Sequence, residues 1–189
     1  MEHYLNFSNT NIWSEIWPEL ALALAAIVLL GIDLFRKSDK PIVSIGSLAI
    51  VFQAGLLIFH LFDYLAWHHT FDRETFSGML HQGIQGDVMR TFFLLSSLLV
   101  SVLGHQYLKN KKLRAGEFHH LTMLATAGLM LLVQSNHFIM LFVALETVAV
   151  CFYTLVAYNR ESAKSLEAGI KYLIFGALSS SLLLFGIVL

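Results

Sequence analysis

The sequence predicts an all-α, polytopic membrane protein, a bundle of about six transmembrane helices. Three observations predict it. Hydrophobic residues make up 57% of the chain and charged residues only 13%, with a mean hydropathy of +0.68, whereas a soluble domain is nearer to half apolar and about a quarter charged. The charges fall in clusters separated by neutral runs of about 20 residues, the length that crosses about 30 Å of hydrocarbon at about 1.5 Å per residue. The lysines and arginines of the connections alternate in step with six crossings.

The first apolar run, 16–35, opens with Trp17-Pro18, where the indole suits an interface and proline is tolerated in a first helical turn. The preceding residues carry no basic region and no small-residue cleavage site follows, so this run is expected to stay as a helix rather than be removed as a signal peptide. The second run, 42–62, begins just after Pro41; the third spans 88–108, the fourth 118–134, the fifth 137–158 and the sixth 166–189. Period-2 alternation is absent, which argues against a barrel. Arg36, Lys37 and Lys40 follow the first helix, Lys109, Lys111, Lys112 and Arg114 the third, and Arg160 and Lys164 the fifth, while the opposite loops hold only Arg73 and Arg90. By the positive-inside rule the N-terminus lies outside and the three basic loops face the cytoplasm.

The one long connection, 63–87, is placed outside and reads as an amphipathic cap on the bilayer surface. Its His68, His69 and His81 lack the i, i+4 spacing of helical metal ligands and read as solvated loop residues, so no metal site is expected. Cys151 has no partner cysteine, which excludes a disulfide or cysteine cluster within the chain, and reads as a small buried apolar residue. A net charge of −1 gives no footprint for nucleic acid. No haem histidine pair, flavin fingerprint or phosphate loop is present, so no cofactor is expected on this chain.

Two charges stand inside spanning runs. Glu146 and Lys171 each lie nine residues from the expected start of their helix, at His137 and Ser162, and so near mid-depth from opposite sides. A charge at that depth costs about 2.5–3.5 kcal/mol on insertion scales and points to a partner or a hydrated path. The two can meet if their helices are close, and making or breaking the pair would move the lysine's proton affinity. The structural alternative is that Lys171 pairs with Glu167 one turn earlier and snorkels outward. Glu117, His119 and His120 open the fourth helix, where an acid suits a helix N-terminus and where protons could be collected. Glu19 and Asp33 are explained by interfacial placement; His60 and His105 could extend a relay, though they read first as interfacial histidines. Small residues at Gly46, Gly55 and 176–180 read as helix contacts.

These residues carry a resemblance. The run from Glu117 to Leu189, with LFVALE, Tyr153 seven residues after Glu146, and SLEAGIKY, resembles the first part of the antiporter-like membrane subunits of proton-pumping NADH:quinone oxidoreductase, respiratory complex I. Among these it is similar to the N-terminal part of the subunit N family, as are WPEL, DLF and the Asp87 to Phe93 entry of the third helix. The resemblance implies a three-helix region at 1–116 and the start of a proton-translocating module at 117–189, with Glu146 and Lys171 in the proton pathway and Glu117, His119 and His120 as relay or entry. It implies a place in a bacterial inner (plasma) membrane beside other complex I membrane-arm subunits, with NADH, FMN, iron–sulfur clusters and quinone held by partner subunits. Family members have about fourteen helices in inverted repeats; this sequence lacks the broken seventh helix, its lysine and the second repeat. It is therefore expected to be a fragment, a truncated gene or half of a split subunit. A multi-subunit cation/proton antiporter shares the module, and a non-catalytic scaffold is the third reading.

Overall fold

A computed structural model of the chain describes residues 13–35, 43–66, 73–111 and 116–189. After a single 3-10 turn, Trp13–Ile16, the described residues form helices α1 (Trp17–Phe35), α2 (Val43–Ala66), α3 (Ile84–Lys111), α4 (Gly116–Gln134), α5 (Phe138–Val156) and α6 (Ala163–Val188). Each coincides with one of the six predicted runs. Between α2 and α3 two short strands, β1 (Arg73–Thr75) and β2 (Leu80–Gln82), pair antiparallel with Arg73 opposite Gln82 and Thr75 opposite Leu80. Arg36, Lys37 and Lys40 after α1, and Lys112 and Arg114 after α3, lie outside the described residues, as do His68 and His69.

The 63–87 connection corrects the expectation of a cap on the bilayer. Its start continues α2 and its end already belongs to α3, and the hairpin between them folds onto the bundle itself. Phe76, Ser77 and Gly78 make the turn with positive φ of 52°, 57° and 82°; only the glycine adopts that region without steric cost. The turn is held from outside, because Asn136 donates its backbone N–H to Met79 O at 2.9 Å and its side-chain amide to Gly78 O at 3.1 Å. Leu80 and Thr75 are buried beneath it and Trp13 packs edge-on against Phe76.

The six helices divide by position. Five are long and apolar enough to cross a membrane by length and composition; α4, with nineteen residues, is as long as α1 and α5 but opens on a polar first turn with Glu117, His119 and His120. It stands in the centre, packed on α1, α2, α3 and α5, and eleven of its nineteen residues are buried. A helix that meets other helices instead of lipid tails can carry His119, His120, Thr122, Thr126 and Gln134 on its buried faces. At the other extreme α6 packs on α5 alone among the major contacts and buries only Gly169. Small residues bring the helices together: Gly46 and Gly176, expected as contacts, meet His105 and Tyr153, and glycines not singled out do the same, Gly128 meeting Val148 on α5, Gly104 Phe118 and Gly169 Ala157. Gly55 departs from that expectation, facing open space, with no atom within 4 Å of the place a methyl would take. The apolar core, built from Leu22, Ala26, Leu29, Ala49, Leu56, Leu94, Met123, Ala127 and Met130, fills the space between α1, α2, α3 and α4.

Candidate functional site

On α5, His137 caps the first turn by accepting the Ile139 N–H at 3.2 Å, which fixes Glu146 in mid-helix. Glu146 is half-buried, and its Oε1 is buried with no hydrogen-bond partner. Two turns on, Tyr153 lies on the same stripe, which faces α6: its ring packs edge-on against Tyr172 at 4.9 Å and its hydroxyl presses on Gly176. Only a glycine leaves room for the phenol there.

These contacts set the register of α5 against α6. With Ala157 opposite Gly169 and Tyr153 opposite the turn from Tyr172 to Gly176, Glu146 stands level with Ser180, and Lys171 lies nearer the start of α6 by about 13 Å along the bundle. The two charges therefore do not meet. The helix α6 begins at Ala163 with Ser162 in the cap position, as the deeper placement of Lys171 required, yet Lys171 pairs with Glu167 on its own helix and 65% of its side chain is exposed. Tyr153, singled out in the sequence only as a motif marker, holds the position between the two charges. The signal was there, since seven residues is two helical turns and returns to the same face.

At the first turn of α4, His119 and His120 are both buried, and neither imidazole has a hydrogen-bond partner. His119 faces His105 of α3 with ring centroids 5.7 Å apart, and His120 Nε2 stands 4.0 Å from Asp33 of α1. Both His105 and His119 close on Gly46 of α2, where a methyl would lie 2.5 Å from His105 Nδ1 and 2.8 Å from His119 Nε2. Glu117 points away, pairing with Arg160 at 2.9 Å in an exposed contact. Just past α5, burial and then the Glu117 carboxylate push the Tyr158 phenol up to about 12, which keeps it neutral. The interfacial reading of Asp33 and His105 is thus replaced by an inward-facing cluster that includes both.

At the last turn of α4 a second cluster was not foreseen. Glu19 sits at interface depth but is 2% exposed, and Arg90, assigned from sequence to a loop, is a buried residue of α3. Arg90 Nε donates to Glu19 Oε1 at 2.8 Å, and its terminal nitrogens reach Asp87 Oδ1 at 3.1 Å, Glu15 O at 2.8 Å and Gln134 Oε1 at 2.6 Å. Gln134 also donates to Glu19 and to Met130 O, and Gln82 of the hairpin donates to Gln134 Oε1 at 2.7 Å. His60, expected at the interface, is buried beside this cluster with Nε2 3.4 Å from Asp87 O. Among the described residues no group of three or more His, Cys, Asp or Glu side chains is arranged to hold a metal ion.

Comparison with known proteins follows the same lines. Residues 135–189 match the family described as "NADH:quinone oxidoreductase/Mrp antiporter, TM". The chain is 46% identical over its full length to NADH-quinone oxidoreductase subunit N 1 of Opitutus terrae, covering 37% of that protein. Over 89% of its length it is 38% identical to subunit N of Xanthomonas euvesicatoria, covering 34% of it. The chain thus spans little more than a third of the curated relatives it matches. Its fold is similar to a chain of respiratory complex I from Thermus thermophilus with bound aureothin, at a TM-score of 0.68 and 24% identity, covering 89% of this chain and 35% of that one.

Proposed function

We propose that this chain, homologous along its whole length to the N-terminal part of subunit N of NADH:quinone oxidoreductase, works in the membrane arm of that complex. There it contributes to proton translocation coupled to electron transfer from NADH to quinone. Residues 1–116 form its scaffold and 117–189 the start of the translocating module. Its place is a bacterial inner membrane with the N-terminus outside, beside the other membrane-arm subunits. NADH, FMN, the iron–sulfur clusters and quinone are held by partner subunits.

The observation that supports this reading best is Glu146, a mid-helix carboxylate with an unpartnered buried oxygen on the face that α5 turns to α6. A carboxylate at that depth costs about 2.5–3.5 kcal/mol on insertion scales, a cost that fits a side chain facing a polar path. Tyr153 supplies a hydroxyl, donor and acceptor at once, between Glu146 and the level of Lys171. Lys171 carries the next exchangeable proton, and Glu167 is the counter-charge it leaves when it turns inward. Glu117, His119 and His120 collect protons at the basic-loop face.

Replacing Glu146 by Gln in the source organism's membranes tests this. The expected outcome is normal assembly with NADH-driven proton pumping largely lost and quinone reduction slowed with it. Full coupled activity would leave the chain a scaffold. The matched family's description also covers Mrp antiporters, and a second reading follows from it: a subunit of a multi-subunit cation/proton antiporter. Proton movement driven by a sodium gradient, without NADH, would favour that reading.

A further inference from the structure

We propose that the crevice between α2, α3 and α4 is a hydrated file that admits water and protons from the α4 N-terminal face to mid-bundle, on different helices from Glu146 and Lys171. It deepens the entry role given above to His119 and His120, and its test is read as thiol reactivity, so it stands or falls whether or not the chain pumps.

The crevice is drawn by polar atoms that no protein group satisfies. Asp33 is its half-buried mouth, with His120 Nε2 4.0 Å inside it. Next come His119, fully buried with both ring nitrogens unpartnered, and His105, whose buried Nδ1 is unpartnered too. The two rings close on Gly46, whose missing side chain leaves them the space they occupy. One turn up α3 from His105 stands Ser101, fully buried with its hydroxyl unpartnered; a further turn brings Ser97, whose Oγ accepts from Gln53 Nε2 at 3.1 Å. Gln53 Oε1 is again buried and unpartnered. The i, i+4, i+8 spacing of Ser97, Ser101 and His105 keeps all three on one face of α3, and the file they line is about 12 Å long.

Such atoms in a protein interior are paired with protein or with ordered water. Here, among the described residues, the protein offers nothing, and a continuous row of them at one-turn intervals matches a chain of waters better than isolated packing faults. Ala49 and Met123 form the apolar wall beside the file; one turn beyond Gln53 and Ser97, Leu56, Leu94 and Met130 leave no polar side chain to continue it, and beyond that layer lies the Glu19–Arg90–Gln134 network.

Silver ion, close to water in size and reactive with thiolates, is the probe. In assembled protein with Cys151→Ala, single cysteines at Ser97→Cys, Ser101→Cys and Leu94→Cys are exposed to silver in inverted vesicles. Remaining thiols are then counted after denaturation by the gel shift of a polymer maleimide. Positions 97 and 101 are expected to react faster than position 94 by at least an order of magnitude. Gly46→Ala, which fills the space between the two imidazoles, is expected to slow position 101 severalfold, while Gly55→Ala, with free space around it, leaves it unchanged. Equal rates at 94, 97 and 101 would overturn the proposal, as would equal effects of the two alanines. If Gly46→Ala does not assemble, the comparison of 97 and 101 with 94 decides alone.

Discussion

The two ends of α4 hold polar clusters set against the same neighbouring helices, and they are in opposite states. At the last turn Gln134 joins Arg90 and Glu19 in a network where every guanidinium nitrogen has an acceptor between 2.6 and 3.1 Å. At the first turn the buried imidazoles of His119 and His120 have no hydrogen-bond partner. Glu19 Oε2 is left over there, but a network in which every nitrogen of the cation is answered specifies one geometry and holds it. A cluster whose polar atoms are left over keeps the freedom to bind and pass on something mobile. The same helix thus supplies a fixed end and an exchangeable end, and the difference lies in whether arginine's planar fork or imidazole's paired nitrogens occupy the buried site.

Breaking the fixed end has the largest expected effect. Arg90→Met leaves Glu19 buried without its counter-charge and is expected to remove about 3–5 kcal/mol of stability, read as a lower melting temperature of the solubilised assembly. Adding Glu19→Leu to it is expected to restore most of that loss, since the cost lies in the orphaned charge. Gln134→Ala, which strips an acceptor from Arg90 and a donor from Glu19, is expected to cost about 1–3 kcal/mol by the same measurement.

At the exchangeable end no effect is expected to exceed that of Gln134→Ala, and the signs are mixed. Gly46→Ala pushes a methyl against two rings and is expected to destabilise by about 1–3 kcal/mol. Gly55→Ala, on the same helix with nothing near it, is expected to stabilise by about 0.5–1 kcal/mol. Glu117→Gln, which removes only the exposed pair with Arg160, is expected to change the melting point by less than about 1 kcal/mol equivalent. A large loss from Glu117→Gln would mean that the two ends are not different in kind.

The six helices were legible because run length and the spacing of basic loops are local properties. What the sequence hid was pairing at a distance. Glu19 and Arg90 are 71 residues apart, and their only common signal was a shared depth at the outer ends of two helices. The hairpin was hidden for a different reason: strands of three residues are too short to display alternation. For Glu146 and Lys171 the starts of the two helices are local signals too, but the sequence holds no scale for how far one helix slides along its neighbour. That slide is set by Tyr153 seated over Gly176 and by Ala157 against Gly169, contacts that only the packed pair displays. The histidines of α4 were legible as candidates; that they face Asp33 and His105 rather than the loop was not.

The central position of α4 bears on how the protein is made. A translocon releases a segment into lipid according to its own apolarity, and α4 carries His119, His120, Thr122, Thr126 and Gln134 on faces that are buried in the finished bundle. Entry beside helices already in the membrane, with α3 before it and α5 close behind, keeps those histidines, threonines and glutamine from meeting hydrocarbon unaccompanied. The order of synthesis along the chain provides those chaperoning neighbours, three helices ahead of the one around which they close.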